Sequence, residues 1–320
     1  MVDLDVDIDI YKVCTLSLDL DYKPEIRVKL LNQWKGAAIS AFSMVTTALE
    51  PYFTLIEAKD NNYQVIIDGV FGNQEIDNTE AFKVFFTGES KPAKVSGYDL
   101  SLGFDYFKDE NYFRYPLYYL YYKENISADK VREEACNPNK EFFACFLVKN
   151  GKNGDGAHQR TEFFHELSKY KQVTSGGSHL NNIGRAIPKD ETFLFLSQCK
   201  FTIAFENNLQ YKGYMTEKLF QAYLSGTIPL YSSHPEAQKE VNKKAFISRQ
   251  DFNNNKEMIE YIKELDQDDE KYCKMWNQPI ITDSSRDYHK LQDKVTDFIK
   301  KKFVDPYYQK MKSNCVNSNE

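Results

Sequence analysis

The stretch KFTIAFENNLQYKGYMTEKLFQAYLSGTIPLY, Lys200 to Tyr231, decides how this chain is read. Phe201 to Phe205 is a short apolar, β-favouring run, and Glu206-Asn207-Asn208 breaks it with turn-prone polar residues. Beyond Gly213, Thr216 stands where it can cap a helix carrying Leu219, Phe220, Tyr223 and Leu224 on its apolar face. Gly226 ends that helix, and Ile228 to Tyr231 resumes as a strand. Strand, loop, helix and strand in about thirty residues form the βαβ unit of a parallel sheet, and such sheets hold ligands at the carboxyl ends of their strands.

The polar loop sits at that end, and its chemistry suits a nucleotide sugar. A helix opening at Thr216 would aim backbone N–H groups and a positive dipole end at a diphosphate. Lys218 adds an ammonium and Tyr214 a phenolic donor. A carboxylate repels phosphate, so Glu217 is matched to sugar hydroxyls instead. A plain helix start with a solvated Glu-Lys pair has the same spacing, and spacing alone leaves both readings open.

Working outward, 320 residues favour two domains over one. A net charge of −6 and a pI near 5.6 exclude a general binder of nucleic acid or of anionic membranes, so peripheral membrane contact is not indicated. The six cysteines form no CxxC pair, and Cys145 and Cys199 fall in apolar runs; free thiols in a reducing compartment are expected. No run approaches the roughly 18 to 20 apolar residues of a transmembrane segment, and nothing resembles a signal peptide, so a cytoplasmic protein is expected.

The chain opens on VDLDVDIDI, aspartates alternating with aliphatic residues at the strand period. Asp-x-Asp is a way to hold a metal and a diphosphate, but it normally follows a nucleotide-binding half. An acidic arm or edge strand over 1–23 is expected. From Pro24, Ile26 to Trp34, Val65 to Val70 and Ala81 to Phe86 read as strands, with Ile39 to Leu49 helical, so 24–135 reads as a parallel α/β domain. Glu89 follows the third of these strands, at its ligand-binding end.

Tyr98 to Phe107 and Tyr112 to Tyr122 are dense in aromatic residues, which serve either core packing or stacking on sugar rings. Lys123 to Lys140 is polar and irregular and reads as a linker. Phe142 to Val148 then starts a second α/β domain over 136–303, in which NGKNGDGA (150 to 157) reads as a flexible turn and Thr161 to Tyr170 as a helix with Arg160 at its start. Asn255 to Trp276 and Arg286 to Phe303 read as long helices, and 304–320 as a frayed polar tail.

FENNLQYKGYMTEKLFQAYLSGTIPLY resembles the donor-binding signature of the α1,3-fucosyltransferases, which reads FEN, a short insert, GYVTEK, an amphipathic helix and IPIYWG. FFTGES (85 to 90), GYDLSLGFDYF (97 to 107), RYPLYY (114 to 119), CFLVKN (145 to 150) and SGGSHLNNIG (175 to 184) resemble the bacterial members in the same order, so the likeness runs from Glu25 to Lys302. It implies an α/β fold of two Rossmann-like domains facing each other across a cleft, the GT-B architecture, with the acceptor on the first domain, GDP-fucose on the second and the last helix packing back across both.

The resemblance further implies inverting transfer of L-fucose from GDP-β-L-fucose to a hydroxyl of an N-acetyllactosamine-type glycan. Glu89 is then the base, and Arg160, Asn181, Glu206, Asn207, Tyr214, Thr216, Glu217 and Lys218 hold the donor. No obligatory cofactor or metal is expected, a divalent ion being at most stimulatory. Two alternatives stand beside this: a GT-B transferase of different linkage or acceptor, and a non-catalytic sugar or nucleotide-binding module. The latter is motivated by Ser232-Ser233, which replace the family's Trp-Gly and are expected to alter the donor pocket or the acceptor rim.

Overall fold

The structure, a computed structural model, describes residues 23–317 apart from 124, 126–129, 153 and 284–286. The aspartate-rich opening, with its Asp-x-Asp pattern, lies outside the described residues.

The chain builds two parallel sheets in succession. The first contains β1 (Glu25–Leu31), α1 (Ser43–Leu49), β2 (Thr54–Ala58), β3 (Val65–Asp68), β4 (Phe82–Phe86), β5 (Leu100–Gly103), β6 (Tyr112–Arg114) and α2 (Tyr118–Tyr122). Its six strands run in the order β2-β1-β3-β4-β5-β6. The second contains β7 (Phe142–Phe146), α3 (Asp155–Leu167), β8 (Val173–Ser175), α4 (Thr192–Ser197), β9 (Cys199–Ile203), α5 (Lys218–Leu224), β10 (Ile228–Tyr231) and β11 (Ile247–Ser248). Its five strands run β11-β10-β9-β7-β8. All four residues of β3 and all five of β9 are buried, as expected for parallel strands covered on both faces.

Local chemistry accounts for several departures from the sequence reading. Lys244 to Phe252, KAFISRQDF, reads as a further strand with a turn, yet it contributes only the two-residue β11, which joins β10 at Leu230 and Tyr231, beyond Pro229 with its missing N–H. The helix expected from Asn255 to Trp276 is two helices, α6 (Asn255–Gln267) and α7 (Asp269–Trp276), because Asp268 leaves helical geometry and its carboxylate caps Lys271 N at 3.0 Å. β2 and β8, at five and three residues, fell below any pattern the sequence offered.

α8 (Tyr288–Ile299) returns to the first sheet, where Gln292 Nε2 donates to Met44 O at 3.1 Å and Phe298 meets Phe113 edge-on at 5.4 Å. The expected frayed tail is instead α9 (Asp305–Asn317). Tyr307 and Tyr308 clamp the buried Phe53 at 5.0 and 5.7 Å, and Tyr308 OH donates to Tyr52 O at 2.8 Å. Aromatic burial overrides the polar composition of that segment.

The cysteines correct a second expectation. Cys145 on β7 and Cys199 on β9 are disulfide-bonded, as are Cys136 in the linker and Cys273 on α7. Burial in adjacent strands, taken as the mark of inert thiols, is also what brings two cysteines within bonding reach. No helix among the described residues is long and apolar enough to cross a membrane.

Arg132 ties the linker to the second sheet. Its guanidinium donates to Tyr223 O at 3.0 Å, Trp276 O at 2.6 Å and Thr227 O at 2.6 Å, and lies 4.0 and 4.4 Å from the Tyr223 and Trp276 rings. Arg132→Ala leaves three carbonyls without their donor and is expected to cost about 3 kcal/mol in urea unfolding. A loss under about 0.5 kcal/mol would show that these bonds hold nothing together.

Candidate active site

The site forms where the carboxyl ends of the two sheets meet. At its centre is Glu206, three residues past β9 and fully enclosed. Its Oε1 accepts from Thr216 N at 2.7 Å and from Tyr231 OH at 3.1 Å, and its Oε2 accepts from Thr216 Oγ1 at 2.7 Å. Lys218 Nζ lies 3.4 Å from Oε2. Thr216 therefore does not cap the next helix as expected. α5 begins at Lys218 with no side-chain cap, and the Thr216 amide, once assigned to a phosphate, belongs to Glu206.

The remaining predicted residues gather around this carboxylate, with one exception. Lys218 Nζ donates to Thr216 Oγ1 at 2.9 Å and stands 3.5 Å from Glu217. Burial would push the Lys218 ammonium down, but Glu217 and Glu206 outweigh it and hold the pKa above the ordinary lysine value. Glu217 moves the opposite way: burial raises it, while Lys218 and hydrogen bonds pull it net below the ordinary glutamate value. Both stay charged near neutrality.

Tyr214 is buried and donates to Asn207 Oδ1 at 2.9 Å, and desolvation keeps it a neutral phenol. Asn181 stands apart: it is exposed, and its amide donates to Gly177 O and Arg185 O, both at 2.8 Å, closing its own loop.

Arg160 is deeper than the sequence suggested. α3 begins at Asp155, so Arg160 lies in its second turn and is only 2% exposed. Nη1 reaches Phe205 O at 3.3 Å, Nη2 reaches Asn150 O, and the buried Nε has no acceptor. Burial lowers its pKa, against the pull of Glu206.

The loop read as a flexible turn is the other wall of this site. A Cβ on Gly154, whose φ is +100°, would stand 2.0 Å from Asn207 O, and one on Gly156 would stand 2.1 Å from Glu206 O. Only glycine permits that approach.

Glu89, half-buried in the turn after β4, completes the site from the first sheet. Burial raises its pKa most; Lys218 opposes this, and Glu217 and Glu206 add to it. The charges it senses are thus largely those of the second sheet.

Several contributors escaped the sequence reading. Tyr231 looked like an ordinary strand residue. Ser232, which the sequence singled out for its place in the pocket or rim, is fully buried: it donates to Gln159 Oε1 at 2.6 Å and accepts from Gln250 Nε2 at 2.8 Å, so the hydroxyl where the family has tryptophan is part of an enclosed amide network. Arg114 grips Glu240 with two bonds of 2.8 and 2.7 Å and Gly213 O at 2.9 Å, pinning the two sheets together. Among the described residues no three His, Cys, Asp or Glu side chains gather as a metal cage.

Paired parallel α/β units with a charged site between their carboxyl ends define a GT-B glycosyltransferase fold. A model of the C-terminal part of glycosyltransferase family 10 (fucosyltransferase) matches residues 137–309, and one of the FucT N-terminal domain of α-(1,3)-fucosyltransferases matches 28–121. The chain belongs to glycosyltransferase family 10.

It is 30% identical to the α-(1,3)-fucosyltransferase FucT of Helicobacter pylori over 308 aligned positions, covering 83% of this chain and 62% of that one. It is 32% identical to the Bos taurus 4-galactosyl-N-acetylglucosaminide 3-α-L-fucosyltransferase 9 over 142 positions, 44% of this chain and 38% of the relative. The chain thus spans less than two thirds of the length of these relatives. A crystal structure of an α1,3-fucosyltransferase with GDP-fucose superposes with a TM-score of 0.70 at 28% identity, covering 88% of this chain and 91% of that one.

Removing the central carboxylate tests this arrangement. Glu206→Ala orphans the Thr216 amide, the Thr216 hydroxyl and the Tyr231 hydroxyl, all enclosed, and is expected to cost about 3–5 kcal/mol in chemical unfolding. Gly156→Ala would force a Cβ to 2.1 Å from Glu206 O and is expected to cost about 1–3 kcal/mol in the same unfolding measurement.

Proposed function

We propose that this chain transfers L-fucose from GDP-β-L-fucose, with inversion, to a hydroxyl of an N-acetyllactosamine-type glycan. The observation that carries the reading is the opposition of a burial-raised carboxylate on one sheet, Glu89, to an ammonium on the other, Lys218, that two carboxylates keep charged. Such a pair suits displacement at a sugar carbon, with a base on one side and a cation for the departing phosphate on the other. The family's bound GDP-fucose supplies the donor for this reading.

In the proposed reaction an acceptor oxygen attacks the fucose anomeric carbon as the bond to the β-phosphate oxygen breaks. Glu89 takes the hydroxyl proton, and GDP leaves with the bonding pair. Lys218 meets the charge growing on the diphosphate, and the Arg160 Nε–H, a buried guanidinium donor without an acceptor in the fold, adds to it. Tyr214 and Asn207 orient the donor, and Glu217, held ionised, accepts from its sugar hydroxyls. Glu206 and Thr216 hold this set in place rather than touch the sugar. With two cations at the diphosphate, no divalent ion is required, and transfer should persist after chelation. Complete loss restored by manganese would refute that.

Three measurements test the reading. Incubation with GDP-fucose and N-acetyllactosamine should yield an α1,3-linked fucosyl product by linkage analysis. Lys218→Ala should weaken GDP binding about tenfold or more, since a charged contact is worth about 1.5–3 kcal/mol; unchanged affinity would remove the diphosphate from this place. Glu89→Gln should lower kcat by about 10² or more while GDP binding is preserved. As a base Glu89 works deprotonated, so activity should fall as pH drops through its pKa. That acid limb should lie above the ordinary glutamate value of 4.5, because burial raises the group.

A further inference from the structure

α2 is made of tyrosines, and its residues have divided fates. Tyr118, Tyr119 and Tyr122 are buried, while Tyr121 is 45% exposed. The helix is wedged against the Glu89 turn: a Cβ on Gly88 would stand 2.4 Å from Leu117 Cδ1, so the glycine next to Glu89 is what lets Leu117 in. Leu117 has helical dihedrals, and Tyr121 follows it by four residues, one turn along the same face. The adjoining face of the helix is fixed to the second sheet, with Tyr118 4.2 Å from Phe220 on α5 and Tyr122 meeting Phe193 on α4 edge-on at 5.9 Å. Tyr121 is thereby held between the Glu89 turn and the start of α5.

Two further observations bear on that position. Burial, then Glu217 and Glu89, push the Tyr121 phenol up, which agrees with a ring standing among the site carboxylates. Phe193, which packs on the neighbouring Tyr122, is 40% exposed and Leu194 after it 68% exposed, while Lys189 Nζ stands 5.2 Å from the centre of the Tyr121 ring. Large apolar side chains left open beside a charged site mark a binding surface. A pyranose offers what fits there: an apolar C–H face for an aromatic ring and hydroxyls for the neighbouring carboxylates and ammonium groups.

We propose that Tyr121, flanked by the Tyr122–Phe193 pair, is the stacking platform for the acceptor's sugar ring, and that it positions the attacking hydroxyl against Glu89. This rests on the transferase reading above. The platform acts on the acceptor alone, so it sets acceptor selectivity without contributing to GDP recognition.

The test compares Tyr121→Ala, Tyr121→Phe, Tyr121→Trp and Phe193→Ala with the parental protein, measuring the KM for N-acetyllactosamine, kcat, and the Kd for GDP by calorimetry. Loss of the ring in Tyr121→Ala should raise the acceptor KM roughly tenfold, the scale of an aromatic stacking contact, with GDP affinity unchanged. Tyr121→Phe and Tyr121→Trp keep a ring and should stay within about threefold of the parent, and Phe193→Ala should fall between. Unchanged GDP binding also certifies that each variant is folded. A parental KM in Tyr121→Ala overturns the platform and leaves the transferase reading standing. An equal loss of GDP affinity makes Tyr121 part of the donor site and overturns it as well. A parental protein that binds GDP but transfers no fucose overturns the transferase reading, and the platform with it.

Discussion

A single enclosed carboxylate organises the second half of this protein. Taking Glu206 out of water is expensive, and the cost is offset by the donors directed at it: a backbone amide, two hydroxyls and an ammonium. Those donors come from both ends of the βαβ unit. Thr216 lies in the loop before α5, Lys218 opens that helix and Tyr231 closes β10, so one side chain fixes the loop, the helix start and the following strand relative to one another. Lys218 is left partly exposed, charged and restrained, the condition in which an ammonium serves an anion best. Gly154 and Gly156 press against the backbone carbonyls of Asn207 and Glu206 from the other side.

The second constraint is the join between the halves. A buried, bidentate Arg114–Glu240 pair and the Tyr118–Phe220 contact hold the sheets at a set distance. Gly213 is pressed so closely on Phe104 O that a Cβ would stand 1.9 Å from it. Breaking such a buried pair from one side is costly, so the two sheets do not drift independently. Glu89 depends on that closeness. Its pKa is raised by burial, and the charges that tune it further come largely from α5 and the loop before it.

What could be read from the sequence followed what each residue type can show alone. The apolar runs of β3, β4, β7 and β9, the turn at Glu206 to Asn208 and the cluster Tyr214 to Lys218 were all legible, because periodicity and composition encode them locally. The role of Glu206 was not. A carboxylate in a polar loop reads as a ligand or a base, and only tertiary structure shows Tyr231, 25 residues further on, donating to it. Arg160 was placed too near a helix start because the glycines before it looked like loop, when they are glycine for close packing on Glu206 and Asn207. α9 was missed for a similar reason: its composition is polar, and the two tyrosines that dock it matter only once Phe53 is opposite them.

The claim on which all this depends is that Glu206 acts through Lys218 and touches no ligand itself. A double-mutant cycle over Glu206→Gln and Lys218→Met, read by GDP affinity in calorimetry, tests it directly. If Glu206 works by holding the ammonium, each single change weakens GDP binding and the double variant binds about as well as Lys218→Met alone. Independent losses that add in full would place Glu206 in its own contact with the nucleotide and contradict the account.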